Sequence, residues 1–151
     1  MTNSQNIMLE AIKCAEEASS IGEVPVGAII YNPKTSQIIS KSFNKTNKNM
    51  DPTAHAEINV IRDACKKLER SRLIDCDLYV TLEPCIMCAA AISQARIRRL
   101  YFGADDLKYG SINGNINYFQ KENTNHLPEI YDNICSGSCN RLLINFFKDR
   151  R

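Results

Sequence analysis

The chain has 151 residues, of which 44% are hydrophobic and 24% charged, the size and composition of one globular domain with room for a single core. No apolar run approaches the roughly 20 residues that cross a bilayer, and residues 1–6 lack the features of a secretion signal, so we expect a cytoplasmic protein without a membrane partner. The net charge of +2 neither requires nor excludes a nucleic-acid partner, because a local basic patch can bind while the total stays small.

A helix and a hairpin are the first predicted elements. Residues 6–21 carry apolar side chains at helical spacing, and Gly22 is a plausible end for this helix. The apolar run 24–31 predicts a buried strand, residues 32–33 (Asn-Pro) predict a turn, and residues 38–43 predict a second strand. The two strands are therefore expected to pair with each other.

Helices and strands alternate after this hairpin. Pro52 and Thr53 introduce a helix that continues to about residue 68, and residues 78–82 form a short β-rich segment that predicts a strand. Pro84 suits the first position of a third helix, because the N–H that proline lacks is not needed there.

The last third of the chain adds a strand, a loop and a helix. Residues 98–103 predict a strand, the polar segment 105–125 is rich in Asn and Gly and predicts a loop, and residues 138–150 predict a helix whose apolar face includes Phe147. Because the elements alternate and no linker interrupts them, we predict one α/β domain of three layers, α/β/α, over residues 1–151.

Two of the seven cysteines stand out by their spacing. In a reducing compartment, cysteines favour metal binding or burial over disulfides. Cys85 and Cys88 are three residues apart, so they share one face of a helix, near a helix start whose positive end favours thiolates. Taken alone, this pair also fits two buried cysteines or a redox pair.

His55 and Glu57 make the cysteine pair a candidate metal centre. Residues two apart point to opposite sides of a regular helix, but they can converge at a helix N-terminus. One neutral imidazole and two thiolates fill three positions of tetrahedral zinc and leave the fourth for water, which marks a catalytic site. We therefore predict one Zn²⁺ per subunit, held by His55, Cys85 and Cys88.

Glu57 is the predicted catalytic residue. Zinc can lower the pKa of its water ligand to about 7, and a carboxylate beside it can take a proton from that water and pass it to a ring nitrogen and a departing amine. These are the requirements for removing an amino group from a heteroaromatic ring. The combination H-x-E and P-C-x-x-C, present here at residues 55–57 and 84–88, is the signature of zinc-dependent nucleobase deaminases.

A closed structural zinc site is the competing interpretation. Cys135 and Cys139 form a second pair that could join Cys85 and Cys88 around one ion. Against this, Cys139 falls on the apolar side of the last predicted helix, which suits a small hydrophobic core residue. A four-cysteine site would also leave His55 without a role.

Longer stretches resemble a known family. Residues 23–28, 51–58 and 81–89 resemble, in this order, motifs of the bacterial tRNA-specific adenosine deaminases, which belong to the cytidine and deoxycytidylate deaminase superfamily; the similarity runs from about Ile7 to the C-terminus. The resemblance implies a cytidine-deaminase-like fold with a central mixed sheet of about five strands, and a homodimer. It also implies zinc-dependent hydrolysis of the wobble adenosine to inosine in a tRNA anticodon stem-loop, with an arginine tRNA as the expected substrate.

The same resemblance implies a set of substrate-binding residues. Asn44 matches an asparagine that hydrogen-bonds the flipped nucleotide, Val26 matches an apolar wall of the base pocket, and Asp106 and Lys108 match a loop that contacts the flanking nucleotides. Each also has a plainer interpretation as a turn, core or solvated surface residue. The full set is Val26, Asn44, Ala56, Asp106, Lys108, Phe147 and Arg150, the last two in a C-terminal RNA-contacting helix with Lys148 and Arg151.

The chain departs from the family pattern near the expected substrate. Ala90 stands where the family often has glycine, Tyr109 replaces a smaller residue, and residues 111–118 align poorly. No contacts are assigned to residues 109–125 for this reason.

Two other functions fit part of the pattern. A free-base or nucleoside deaminase, such as a guanine deaminase, would share the metal site but would close its pocket over a small molecule. A catalytically inactive, zinc-stabilised RNA-binding protein would have no use for a proton carrier, and the presence of Glu57 argues against it.

Overall fold

The elements follow the predicted order, with a short strand and a helical turn added between the last predicted strand and the last helix. The computed structural model describes residues 1–114, 116–120 and 124–150, so the predicted RNA contact of Arg151 lies outside the described residues. Within these ranges, none of the helices has the length and apolarity to cross a membrane. The elements are α1 (Asn3–Ser20), β1 (Gly27–Asn32), β2 (Gln37–Phe43), α2 (Ala56–Leu68), β3 (Asp77–Leu82), α3 (Ile86–Gln94), β4 (Arg99–Ala104), a 3₁₀ turn (Tyr118–Gln120), β5 (Glu129–Tyr131) and α4 (Ser136–Lys148).

The strands form one mixed sheet in the order β2-β1-β3-β4-β5. β1 runs antiparallel to both β2 and β3, whereas β3, β4 and β5 are parallel. Gly27 of β1 lies opposite Phe43 of β2, and Asn32 lies opposite Gln37, which confirms the predicted hairpin. The mixed five-stranded sheet with helices on both faces confirms the predicted fold class.

β5 is the strand that the sequence pattern did not predict. It has three residues, too few for a hydrophobic period to appear, and its outer two are exposed. Glu129 pairs with Arg99 and Tyr131 with Tyr101, so the free edge of β4 supplies every pairing partner. β5 therefore depends on a tertiary contact with β4.

Each face of the sheet carries a separate apolar cluster, because successive strand residues point to opposite faces. Leu78 and Val80 of β3 point to the layer of α2 and α3, and Tyr79 between them points to the layer of α1 and α4. The α2 and α3 layer also buries Val60, Ile92, Leu100 and Phe102. The α1 and α4 layer also buries Met8, Ile29, Tyr101 and Cys139.

Two helices begin later than predicted. α2 starts at Ala56, because the carboxylate of Asp51 accepts hydrogen bonds from the backbone and hydroxyl of Thr53 and folds this segment into a turn. α3 starts at Ile86, so the prediction that Pro84 is the first residue of that helix is wrong. Both shifts place a predicted metal ligand, His55 or Cys85, at the N-cap of its helix rather than in the first turn.

Gly27 is the point where β1 approaches α1 most closely. A Cβ at this position would collide with the carbonyl oxygen of Ala11 and would lie 2.7 Å from the backbone nitrogen of Ala15. Only a residue without a side chain lets the strand and the helix pack at this distance.

We therefore expect Gly27→Ala to lower the free energy of unfolding by about 1–3 kcal/mol, as overpacked cores do. Gly137→Ala is the matched control, because a Cβ at Gly137 meets nothing within 4 Å and alanine favours a helix. Denaturant titration measures both variants. Equal stability of the two variants would contradict the close packing inferred for Gly27.

Candidate metal centre and pocket

The predicted metal ligands lie where two helices begin. His55 is the N-cap of α2 and Cys85 the N-cap of α3, and both have extended backbones, with φ/ψ of −67°/155° and −74°/175°. Neither side chain caps its own helix, so both are free to point into the space between the two helix ends. Cys88 lies in the first turn of α3 and faces the same space.

The three side chains are close enough to share one ion. The Nδ1 atom of His55 lies 3.6 Å from the sulfur of Cys85 and 3.5 Å from the sulfur of Cys88. Zinc bonds of about 2.3 Å to sulfur and about 2.0–2.1 Å to nitrogen at a tetrahedral angle place these atoms about 3.5 Å apart. In the part of the chain that the structure describes, this is the one group of three potential ligands within 4.8 Å of one another. The donor set and its spacing therefore fit zinc.

The two cysteines differ in acidity. A hydrogen bond from Cys88, together with the neighbouring His55 ring, lowers the pKa of the Cys85 thiol to about 4. The same Cys85–Cys88 bond, followed by burial, raises the pKa of Cys88. The contact with Cys85 also raises the pKa of His55. These opposite directions favour Cys85 as the thiolate of the pair, and a metal that binds both sulfurs would release the proton of Cys88.

Glu57 lies beside this cluster. It is the second residue of α2, and only 4% of the residue is exposed. Burial raises the pKa of the Glu57 carboxyl to about 7. A group that gains and loses a proton near neutral pH is suited to general acid–base catalysis.

The structure does not form the four-cysteine site. Cys139 packs in the apolar cluster between α1, α4 and the sheet, close to Gly103, and Cys135 lies at the edge of the same cluster. Cys85 is the N-cap of α3 and Cys88 lies in its first turn, and α3 packs on the opposite face of the sheet. The sheet therefore separates the two cysteine pairs.

A cavity of about 480 Å³ opens over His55, Glu57 and Cys85, a volume that fits a nucleobase-sized ligand. Five of the seven predicted substrate-binding residues line it: Val26, Asn44, Ala56, Asp106 and Lys108. Sequence reasoning missed Val24, Leu82, Glu83, Ile86, Tyr109 and Ile116, which also line it. All of these except Ile116 lie within three residues of a predicted site residue, whereas Ile116 falls in the poorly aligned segment and no sequence signal pointed to it.

Asn44 has an unusual place in this cavity. Its side chain is buried, and among the described residues its Oδ1 atom has no hydrogen-bond partner. An unpaired buried acceptor costs about 1–3 kcal/mol, so such atoms are retained mainly where a ligand or water pairs with them. Asn44 is thus available to a ligand in the cavity.

Phe147 and Arg150 do not line the cavity. Phe147 is 49% exposed and therefore does not belong to the buried face of α4, contrary to the helical pattern. Arg150 folds back, with its guanidinium 3.6 Å from the ring centre of Phe146 and Nη1 donating to the Phe146 carbonyl. In a single copy, Phe147 lies on the exposed side of α4 and Arg150 lies just beyond the end of that helix.

Comparison with known sequences gives matches over nearly the whole chain. The family model of the cytidine and deoxycytidylate deaminase zinc-binding region matches residues 1–104. The tRNA-specific adenosine deaminase of Rickettsia bellii is 46% identical over 144 residues, covering 95% of this chain and 99% of that protein. The tRNA-specific adenosine deaminase of Agrobacterium fabrum is 43% identical over 151 residues, covering 100% and 98%.

Solved structures share the fold. One from a study of A-to-I editing by tRNA deaminases at the wobble position is 44% identical, with a TM-score of 0.88, covering 91% of this chain and 99% of that one. A guanine deaminase of Bacillus subtilis is 38% identical, with a TM-score of 0.65, covering 70% of this chain and 66% of that one. A guanine deaminase of Nitrosomonas europaea, at 18% identity and a TM-score of 0.83, shows the shared fold only.

Loss of one of the three clustered side chains should abolish metal binding. We expect His55→Ala and Cys88→Ser each to reduce the zinc content of the purified protein from about one ion per chain to near zero, because two ligands hold zinc much more weakly than three. Cys139→Ala should retain its zinc. Elemental analysis of the purified variants measures this, and zinc retained in His55→Ala but lost in Cys139→Ala would overturn the ligand set.

Proposed function

This chain belongs to the tRNA-specific adenosine deaminase family, within the zinc-binding cytidine and deoxycytidylate deaminases, and we propose that it hydrolyses the wobble adenosine of a tRNA anticodon to inosine. The observation that carries this proposal is the buried carboxyl of Glu57 beside the His55, Cys85 and Cys88 cluster, at the base of a cavity of nucleobase size. An arginine tRNA is the expected substrate.

We assign the zinc ligands to His55, Cys85 and Cys88, with one ion per chain. Bound there, zinc would supply a Lewis acid that activates water. The extended backbones of the two N-cap residues hold the ligands in place before any ion arrives. The positive ends of α2 and α3 both face the cluster and favour its thiolates.

Glu57 moves the protons of the reaction. Its carboxylate takes a proton from the attacking water as the oxygen bonds to C6 of adenine, and delivers it to the ring nitrogen. It then passes the second proton of the water to the amino group, which leaves as ammonia, so that adenosine and water become inosine and ammonia. A carboxyl whose pKa burial raises to about 7 can serve in both directions.

The cavity walls would hold the base. Val26 and Ala56 present apolar surface to the ring, and Oδ1 of Asn44 is free to accept a hydrogen bond from the nucleotide. At the rim, Asp106 and the exposed Lys108 face the position of the flanking nucleotides. A base already unpaired in an anticodon loop enters such a pocket more cheaply than one from a duplex.

We further propose that residues 1–151 act as one deaminase domain, as a homodimer, in the cytoplasm. The single continuous sheet supports one domain. Partly buried apolar side chains of α2 and α3, at Ile58, Ile61 and Ala91, lie together on the outer side of the layer and suit contact with a second copy. Phe147 and Arg150, outside the cavity, would contact RNA beyond the target nucleotide.

A free-base deaminase is the second candidate, favoured by the similarity to the guanine deaminase of Bacillus subtilis. Such an enzyme needs a pocket that closes over a small molecule. Here the cavity has an exposed rim, with Lys108 exposed and Tyr109 64% exposed, which suits a base that belongs to a longer strand. An inactive RNA-binding protein would not need the buried Glu57.

The activity is tested by incubating the protein with an arginine tRNA that carries adenosine at the wobble position and sequencing for inosine. We expect Glu57→Gln to lower the rate about 10²–10⁴-fold, the usual contribution of an acid–base group, with zinc still bound. Glu129→Gln, on the far edge of the sheet, is the control and should react at the parent rate. Deamination of free guanine, cytosine or adenosine with no inosine in the tRNA would refute the tRNA proposal, and an active zinc-loaded Glu57→Gln would refute the role of Glu57.

Asn44→Ala separates a binding role from a structural one. Loss of one hydrogen bond to the nucleotide should lower kcat/KM about ten- to hundredfold. Since the variant removes an unpaired buried acceptor, its melting temperature should stay the same or rise. Thermal melting and tRNA kinetics measure the two effects, and a lower melting temperature with unchanged kcat/KM would mean that Asn44 serves the fold alone.

A further inference from the structure

We propose that Glu83 is a positioning residue, whose buried carboxylate fixes the loop of residues 105–113 as the substrate-facing wall of the cavity. The inference rests on the proposed function, because the loop is taken to face the tRNA. Glu83 lies between β3 and α3, two residues before Cys85, and only 3% of it is exposed.

The carboxylate of Glu83 binds the loop from both ends. Its Oε1 atom accepts a hydrogen bond from the backbone N–H of Asp106 at 3.1 Å, and its Oε2 atom accepts from those of Ile112 at 2.9 Å and Asn113 at 3.0 Å. The salt bridges in the described part of the chain do not include Glu83. Backbone N–H groups of the loop therefore compensate this buried charge, and hydrogen bonds to an ionised acceptor are the strong ones.

Pro84, the next residue, accepts two more hydrogen bonds from the loop. The carbonyl oxygen of Pro84 accepts from the backbone N–H of Ser111 at 3.1 Å and from its hydroxyl at 2.8 Å. Gly110 completes the arrangement, because a Cβ there would collide with the carboxyl group of Glu83. The loop thus wraps closely around the two residues that precede Cys85.

Asp106 links these hydrogen bonds to the cavity lining. While its backbone N–H donates to Glu83, its Oδ1 atom accepts from the backbone N–H groups of Lys108 at 3.1 Å and Tyr109 at 2.9 Å. Asp106, Lys108 and Tyr109 all line the cavity. Because Glu83 is joined to Cys85 by a single residue, it fixes these three side chains relative to the metal cluster.

One short segment, residues 83–85, therefore both holds the cavity wall formed by residues 105–113 and supplies Cys85 to the metal cluster. Productive reaction requires the target nucleotide to be placed to within a fraction of an ångström, and a misplacement of about 1 Å can cost about 100-fold in rate. Glu83 would set this placement through the loop, because both of its carboxylate oxygens accept hydrogen bonds from backbone N–H groups of that loop.

Glu83→Gln tests the inference, because an amide has only one acceptor oxygen and two N–H donors. The NH₂ group of the amide must then face either the backbone N–H of Asp106 or those of Ile112 and Asn113, and two donors cannot form a hydrogen bond with each other. On an anticodon stem-loop with wobble adenosine, we expect kcat/KM to fall about 10- to 100-fold, through both a lower kcat and a higher KM, with zinc still at one ion per chain. Hydrogen–deuterium exchange should accelerate in the segment 105–113.

Asp77→Asn is the matched control. Asp77 is a buried carboxylate at the other end of β3, and it accepts two hydrogen bonds of 2.8 Å from Arg98. Its loss should lower the melting temperature, but it should leave both KM and the exchange of residues 105–113 unchanged. Gly110→Ala, which crowds the same carboxyl group, should reproduce the effects of Glu83→Gln, and Glu83→Asp should be intermediate.

Unchanged KM and unchanged exchange in Glu83→Gln would overturn the inference. A second result would also overturn it: if Glu83→Gln and Asp77→Asn lose activity in the same proportion to their loss of melting temperature, Glu83 has a role in stability alone. If the parent protein leaves the wobble adenosine intact, the proposed function fails instead. The exchange of residues 105–113 then still decides whether Glu83 holds the loop.

Discussion

The structure depends on the meeting of two helix N-termini at one end of the sheet. α2 and α3 begin beside each other, and their N-cap residues, His55 and Cys85, keep extended backbones that aim both side chains into the gap. The positive helix ends favour thiolate there, and the spacing of Nδ1 and the two sulfurs suits tetrahedral zinc. Glu57 is the second residue of α2, so its buried carboxyl lies beside the same gap.

Two further buried glutamates serve the loops around the cavity. Glu83 binds three backbone N–H groups of the loop after β4, and Glu23 binds those of Asn47 at 3.1 Å and Lys48 at 2.9 Å in the loop after β2. Loops cannot satisfy their backbone groups by regular pairing, and a buried carboxylate offers several acceptor sites at once. Three glutamates of similar burial thus have two tasks: Glu23 and Glu83 bind loops, and Glu57 lies beside the metal cluster.

Much of the fold was predictable because its signals are local. Apolar periodicity, proline positions and short apolar or β-rich runs located the helices and all strands except β5, and the alternation of helices with strands indicated three layers. The helix starts were less accurate, since the Asp51 turn and the extended backbone of Cys85 depend on local hydrogen bonds and on the site itself. The short strand β5 could not be predicted, because its partner β4 provides all of its pairing.

The sequence by itself determined the chemistry: the spacing of His55, Glu57, Cys85 and Cys88 is a local pattern that few functions require. Only the tertiary structure decided which cysteines share a site, because the sheet separates Cys139 from Cys88 although both fit a four-cysteine pattern. It also decided that Glu83, an unremarked member of a motif, anchors a loop that follows it by more than 20 residues. Contacts between distant segments depend on how the layers pack, and a short stretch of sequence does not predict that packing.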